Sequence, residues 1–216
     1  MKRPILIFIL VFFIFHTRLF AQKEIEGVYL SANDFIIGKL SFSNNRPDKR
    51  YCLEAKEFLN SQSIRIIKGD SFITLHTDSI FGYRDKNNEC FRFYNKRSYR
   101  ILNPTENLLL YNYNITECLS GNIHNVTSYF FSVNARSPIY PLTIRNLEAA
   151  FYKDVHFIEL LKEFFSYDDE LYAYDRLNME YFINSIFEES SLEAKQVQYK
   201  IHHYESKCAI FNNHIQ

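Results

Sequence analysis

The chain changes its hydrophobic period once, near Ser137, and that switch decides its fold class. Upstream of it the apolar runs are short and bounded by polar breaks. Between Ile80 and Tyr113 the runs IFGYR, CFRFY, SYRIL and LLLYNY are separated by Asp85-Lys86-Asn87-Asn88, by Asn95-Lys96-Arg97 and by Asn103-Pro104-Thr105-Glu106-Asn107. Short runs joined by such loops fit antiparallel strands in a meander. Phe91 and Phe93 alternate with Cys90, Arg92 and Tyr94, and Tyr99 and Ile101 with Ser98, Arg100 and Leu102. Each of these strands is therefore expected to bury one face and wet the other. Ser63 to Ile67 and Phe72 to His76, rich in β-branched and aromatic residues, read as further strands.

Downstream the period becomes helical. Ser137-Pro138 and Pro141 mark the junction, because proline disfavours helix for the residue before it. Thr143 is an N-cap candidate, and Leu142 with Leu147 has the spacing of a hydrophobic staple. Ile144, Leu147 and Phe151 line one side of that segment, and Asp154 can cap the next. There Phe157, Leu160, Leu161, Phe164 and Phe165 form one apolar stripe, and Met179, Phe182, Ile183, Ile186 and Phe187 form a second. Stripes of this width face a core, and packing on the chain's own sheet is favoured over a partner groove. A further helix is expected from Leu192 to Tyr204. The expected architecture is α+β, an antiparallel meander in the N-terminal two-thirds with amphipathic helices packed on it. Residues 22–136 form the β-rich part of one domain, 137–204 its helical part and 205–216 a tail.

The first 21 residues read as a targeting segment. Lys2 and Arg3 precede the apolar run Pro4 to Phe15, and Leu19-Phe20-Ala21 runs into Gln22. This is the pattern of a secretory signal peptide, and the run is shorter than the roughly 20 residues of a membrane-spanning helix. Cleavage after Ala21 leaves 195 residues, the size of one domain. No transmembrane span is then expected, and the expected location is periplasmic or secreted. Losing Lys2, Arg3 and Arg18 leaves 22 basic against 25 acidic residues. That balance argues against a nucleic-acid partner, which calls for basic excess.

Glycine is scarce, with five in the chain and none clustered. Phosphate-cradling loops and the strained serine elbow need clustered glycines, so no nucleotide or other cofactor is expected. Cys52, Cys90, Cys118 and Cys208 are even in number, as disulfides in an exported chain require. Two bridges in any of three pairings, or plain buried thiols, both stay open. No C-x-x-C spacing points to zinc or to a redox pair.

Candidate chemistry is sparse. His202-His203 are adjacent and point to different sides, and His156 with Glu159 supplies only two ligands on a wet helix face. Asp168, Asp169, Glu170 and Asp175 lack the spacing of a calcium loop, and capping explains Asp168 and Asp175 more simply. No residues are nominated as catalytic or metal-binding. The best binding face is in the meander, where Arg84, Arg92, Tyr94 and Arg100, with Lys96 and Arg97 at the rim, offer guanidinium groups among tyrosines. Such a face fits an anionic glycan or a partner's acidic patch.

Several short pieces resemble exported proteins of Bacteroidota. They are Leu19-Phe20-Ala21-Gln22, Gly27-Val28-Tyr29-Leu30, Asp34-Phe35-Ile36-Ile37-Gly38-Lys39, Asp78-Ser79-Ile80-Phe81-Gly82-Tyr83 and Ser137-Pro138-Ile139-Tyr140-Pro141-Leu142-Thr143. Phe81 stands where that group commonly has tryptophan. The resemblance implies an envelope address and carries no activity. The expected function is non-catalytic binding of a protein or glycan partner in the envelope or outside the cell. The alternative is a hydrolase whose active residues are dispersed in sequence.

Overall fold

A computed structural model describes residues 25–44, 51–54, 62–119 and 122–192, with the side chains of 115–125 left out. The expected signal segment 1–21, the continuation of the expected helix beyond Leu192, the tail 205–216, His202, His203 and Cys208 lie outside the described residues, as does the Cys118 side chain. Strands predominate up to Ser132 and α-helices from Ile144, so the fold is α+β with antiparallel pairing. The exceptions are a five-residue α-helix at Ala32–Ile36 and, after the junction, the two-residue strands Tyr140–Pro141, Tyr174–Asp175 and Glu180–Tyr181. The compact units divide elsewhere, between Lys96 and Arg97.

In the unit up to Lys96, β1 is Gly27–Tyr29, α1 Ala32–Ile36, β2 Cys52–Glu54, β3 Ser63–Lys68, β4 Ser71–His76, β5 Gly82–Arg84 and β6 Cys90–Tyr94. Strands β1, β5 and β6 pair in that order, and β2, β3 and β4 form a separate three-stranded sheet. Register sets Val28 against Tyr83 and Tyr83 against Phe91, so these three share a face. Val28 and Tyr83 bury with Ile64 and Ile66 of β3 in one cluster, and the half-buried Phe91 and Phe93 pack against it.

The opposite face of β1, β5 and β6 carries Tyr29, Arg84, Cys90 and Arg92, and it is covered too. Phe35 of α1 stacks on Phe81 at 4.9 Å and meets Tyr29 edge-on at 5.3 Å. Arg92 is accordingly only 6% exposed, and the wet face expected for it does not form. Alternation predicts one covered face, and here a five-residue helix supplies a second cover. Gly82 is required at its place, because a Cβ there would collide with the Phe91 carbonyl. In the turn between β5 and β6, the Asp85 carboxylate accepts from the Asn87 and Glu89 amides at 2.9 and 2.8 Å.

In the unit from Arg97, β7 is Arg97–Ile101, β8 Leu109–Leu119, β9 Asn122–Ser132, β10 Tyr140–Pro141, α2 Ile144–Ala150, α3 Val155–Phe164, β11 Tyr174–Asp175 and β12 Glu180–Tyr181. A helix, α4, then occupies 182–192. Strands β7, β8, β9 and β10 pair in sequence order, and β11 with β12 makes a small hairpin. Leu110 and Phe131 lie opposite each other in β8 and β9 and pack with Leu147, Phe157, Leu161 and Ile183, so α2, α3 and α4 cover this sheet face. Each such side chain contributes about 1.5–3 kcal/mol by burial.

The helix starts follow the expected chemistry. Thr143 Oγ1 accepts from the Asn146 amide at 3.1 Å, and Asp154 from the Phe157 amide at 3.0 Å. Leu142 and Leu147 enter the same core, completing the staple. Two stripe positions differ from expectation. Phe164 stays half-exposed against Phe182, and Met179 is exposed in the β11–β12 turn with φ 59°. The stripe of α4 thus begins at Phe182, because Asp175 holds the preceding residues in a turn. A buried amide pair ties α4 to the loop before β8. Asn103 and Asn184 each donate to the Leu108 carbonyl at 2.8 Å, and Asn103 also donates to Asn184 at 3.1 Å and accepts from the Leu110 amide at 2.7 Å.

Candidate functional site

The proposed binding residues fall in both units and meet different fates. In the first unit the Arg84 guanidinium lies 5.8 Å from the Tyr29 ring centre, and Arg92 lies 5.2 Å from that of Phe81 and 5.5 Å from that of Tyr94. These are cations packed on ring faces within a covered layer, where they brace the fold. Burial first, and the neighbouring Cys90 second, raise the Tyr29 hydroxyl above its usual range, so it stays protonated.

Cys90 is buried with its Sγ 3.9 Å from the Tyr29 hydroxyl, and Cys52 is exposed. Both are free thiols, which removes them from the disulfides that the cysteine count allowed. Cys90 has instead taken the alternative of a small core residue beside a phenol.

Arg100 has the other fate. It is exposed on β7, opposite Asn112, which in turn lies opposite Tyr129 on β9. Tyr129 and Tyr172 stack in parallel, 4.0 Å apart and 9° from coplanar. Tyr174 and Tyr181, paired across the β11–β12 hairpin, meet edge-on at 5.1 Å. Burial raises the Tyr181 hydroxyl above its ordinary value, and Tyr129 adds to that while the Arg100 charge opposes it. Tyr129, Tyr174 and the Arg100 charge thus lie near enough to Tyr181 to act on it, Tyr172 joins them by its stack on Tyr129, and Tyr172 and Tyr174 present open ring surface.

Sequence reasoning nominated Arg100 and missed the rings around it. The available signal was the density of tyrosine at 167, 172, 174 and 181, in a stretch read only for its acids. Those acids are engaged by backbone. Asp168 accepts from the Ile144 amide at 2.8 Å, capping α2 rather than its own segment. Glu170 accepts from the amides of Ser166 and Tyr167 at 2.7 and 3.0 Å. Asp175 accepts from the amides of Leu177 and Asn178 at 2.7 and 3.3 Å, which holds its carboxyl below the usual range and fixes the hairpin. Among the described residues no group of three or more His, Cys, Asp and Glu side chains is arranged to hold a metal ion. His156 and Glu159 lie 3.9 Å apart.

A second constellation joins residues far apart in the sequence. Glu106, in the loop before β8, lies beside the carboxylates of Glu188 in α4 and of Glu180. Burial, and then the adjacent Glu188 carboxylate, push the Glu106 carboxyl above its ordinary value. A carboxyl that keeps its proton above the usual range can deliver it to a leaving group. Glu180 also accepts from Ser185 Oγ at 2.7 Å.

No protein-family model, no curated protein and no solved structure matches this chain.

Proposed function

We propose that this chain is an exported, non-catalytic binding protein of the envelope or its surroundings. Its ligand or partner docks on the patch of Tyr129, Tyr172, Tyr174, Tyr181 and Arg100. The observation that carries this reading is the pair of ring contacts, Tyr129 on Tyr172 and Tyr174 on Tyr181, in a hairpin pinned through Asp175, with the exposed Arg100 close enough for its charge to act on Tyr181. Rings with an open face stack on sugar rings or on peptide planes, and a guanidinium grips a carboxylate through two parallel hydrogen bonds. An acidic glycan or an acidic peptide segment is the matching chemistry. The export half of the reading rests on the Lys2 to Ala21 pattern and on the similarity to exported Bacteroidota proteins. No described helix is long and apolar enough to cross a membrane.

The chain has 16 tyrosines and no tryptophan, so its emission comes from tyrosine, and the part lost in Tyr172→Ala assigns a response to the patch. Titration with oligogalacturonate, and separately with a glutamate-rich peptide, should quench that emission saturably. Arg100→Ala and Tyr172→Ala should each weaken the response by about tenfold, the worth of one charged hydrogen bond or one stacking contact. No saturable response to either probe, or an unchanged response in both variants, would remove the reading. Mass measurement of exported material should give an N-terminus at Gln22.

The hydrolase alternative keeps one specific observation in its favour, the half-buried Glu106 carboxyl set beside Glu188 and Glu180. If Glu106 is a general acid, Glu106→Gln abolishes turnover of glycoside or ester substrates with little loss of fold. Equal rates in the variant would dismiss it.

A further inference from the structure

The outer edge of the three-stranded sheet is exposed in a way that natural sheets usually avoid. Among the described residues no strand pairs with the far side of β4, whose sequence is Ser-Phe-Ile-Thr-Leu-His. Phe72 is 60% exposed and Ile73 46%. Exposed edges are ordinarily blunted by lysine, proline, a bulge or a covering element, and within β4 there is no charge, no proline and an unbroken register with β3. From these features we infer that β4 pairs antiparallel with β4 of a second copy, joining two three-stranded sheets into one.

The register follows from the hairpin. Gly69 and Asp70 form a two-residue turn, so Lys68 and Ser71 are the hydrogen-bonded pair that closes it. The backbone groups of Ser71, Ile73 and Leu75 then face β3, and those of Phe72, Thr74 and His76 face outward. A two-fold pairing must match outward groups with outward groups, and the fullest overlap of Ser71–His76 with its copy then puts Ile73 or Thr74 on the axis. With Thr74 on the axis, Asp70 would stand opposite Asp78, carboxylate against carboxylate. With Ile73 on the axis, Asp70 stands opposite His76, an acceptor against a donor, at both ends. Phe72 then pairs with Thr74. Ile73, which lies opposite the buried Ile66 of β3, meets its own copy and extends the apolar face in that direction. The strand therefore complements itself in one register. Its edge is short of the about 1,200 Å² that stable complexes bury, so the dimer is a weak one with a dissociation constant on the order of 10–100 µM.

Sedimentation of the purified chain should show a reversible monomer–dimer equilibrium in that range. Ile73→Lys sets two ammonium groups across the axis, and Thr74→Pro removes an outward amide without touching the pairing with β3. Each should weaken dimerisation at least about tenfold while leaving the thermal midpoint close to that of the parent. In a Cys52→Ser background, Ile73→Cys should oxidise to a disulfide-linked dimer, since non-hydrogen-bonded partners place Cα atoms about 4.5 Å apart, within reach of a disulfide. Phe72→Cys should not, and peptide mass mapping identifies the bridge. A monomer at every concentration up to about 1 mM would overturn the inference. So would a dimer that survives both Ile73→Lys and Thr74→Pro, because it would use another surface. If Phe72→Cys crosslinks and Ile73→Cys does not, the register is wrong and the inference fails with it.

Discussion

Arginine meets tyrosine and phenylalanine in both units of this molecule, with opposite consequences. In the first unit α1 lays Phe35 over the second face of β1, β5 and β6, and Arg84 and Arg92 become cations packed on rings inside a covered layer. In the second unit α2, α3 and α4 cover Leu110 and Phe131, while Arg100 remains exposed on β7 and Tyr172 and Tyr174 keep open ring surface. What separates the brace from the proposed binding surface is the presence of a covering element, and residue type alone does not determine it. A buried guanidinium works through packing of its stem and its ring contacts, an exposed one through the ligand it can reach.

That contrast can be broken by substitution. Arg92→Ala should cost the most, about 3 kcal/mol, because it removes a buried side chain and its contacts with Phe81 and Tyr94. A denaturant midpoint unchanged in this variant would undo the assignment of Arg92 to the core. Asn184→Ala comes next, at about 2 kcal/mol, since it breaks the buried bonds to Leu108 and Asn103. Chemical denaturation read by far-ultraviolet dichroism measures it. Tyr172→Ala should cost about 1 kcal/mol, the worth of one ring stack. Arg100→Ala should stay within about 0.5 kcal/mol of the parent, as surface substitutions do.

Glu106 gives a prediction in pH. Its carboxyl is raised above the ordinary glutamate value of 4.5, so the folded state holds the proton more tightly than the unfolded one. The stability this supplies is complete below the ordinary value and is lost as pH climbs through the raised one. Glu106→Gln should therefore flatten that fall and leave the chain more stable than the parent at neutral pH. A midpoint lowered at pH 7 would show that the ionised carboxylate is the stabilising form.

Much of the fold was legible because it is local. The breaks at Asp85–Asn88 and at Asn95-Lys96 (Arg97, read with them, already opens β7), the caps at Thr143 and Asp154 and the stripe of α3 each depend on residues within a few positions of one another. What could not be read depends on distant meetings. Arg92 is covered because Phe35 arrives from α1, and the alternation around Phe91 carries no trace of that. The tyrosine patch needs β9 beside a hairpin some fifty residues later in the chain, and the carboxyl pair joins a loop before β8 to α4. Met179 fitted a helical spacing and was taken by a turn, because Asp175 accepts two turn amides at once.

The central claim is that Arg100 serves a ligand while Arg92 serves the fold. It is tested most directly by the affinity of Arg100→Ala and of Arg92→Lys for an acidic oligosaccharide or peptide that the parent binds. Arg92→Lys keeps the charge and most of the stem, and measurement well below its unfolding midpoint keeps stability out of the comparison. The account predicts about tenfold weaker binding for Arg100→Ala and parental affinity for Arg92→Lys. Parental affinity in Arg100→Ala with binding lost in Arg92→Lys would contradict it.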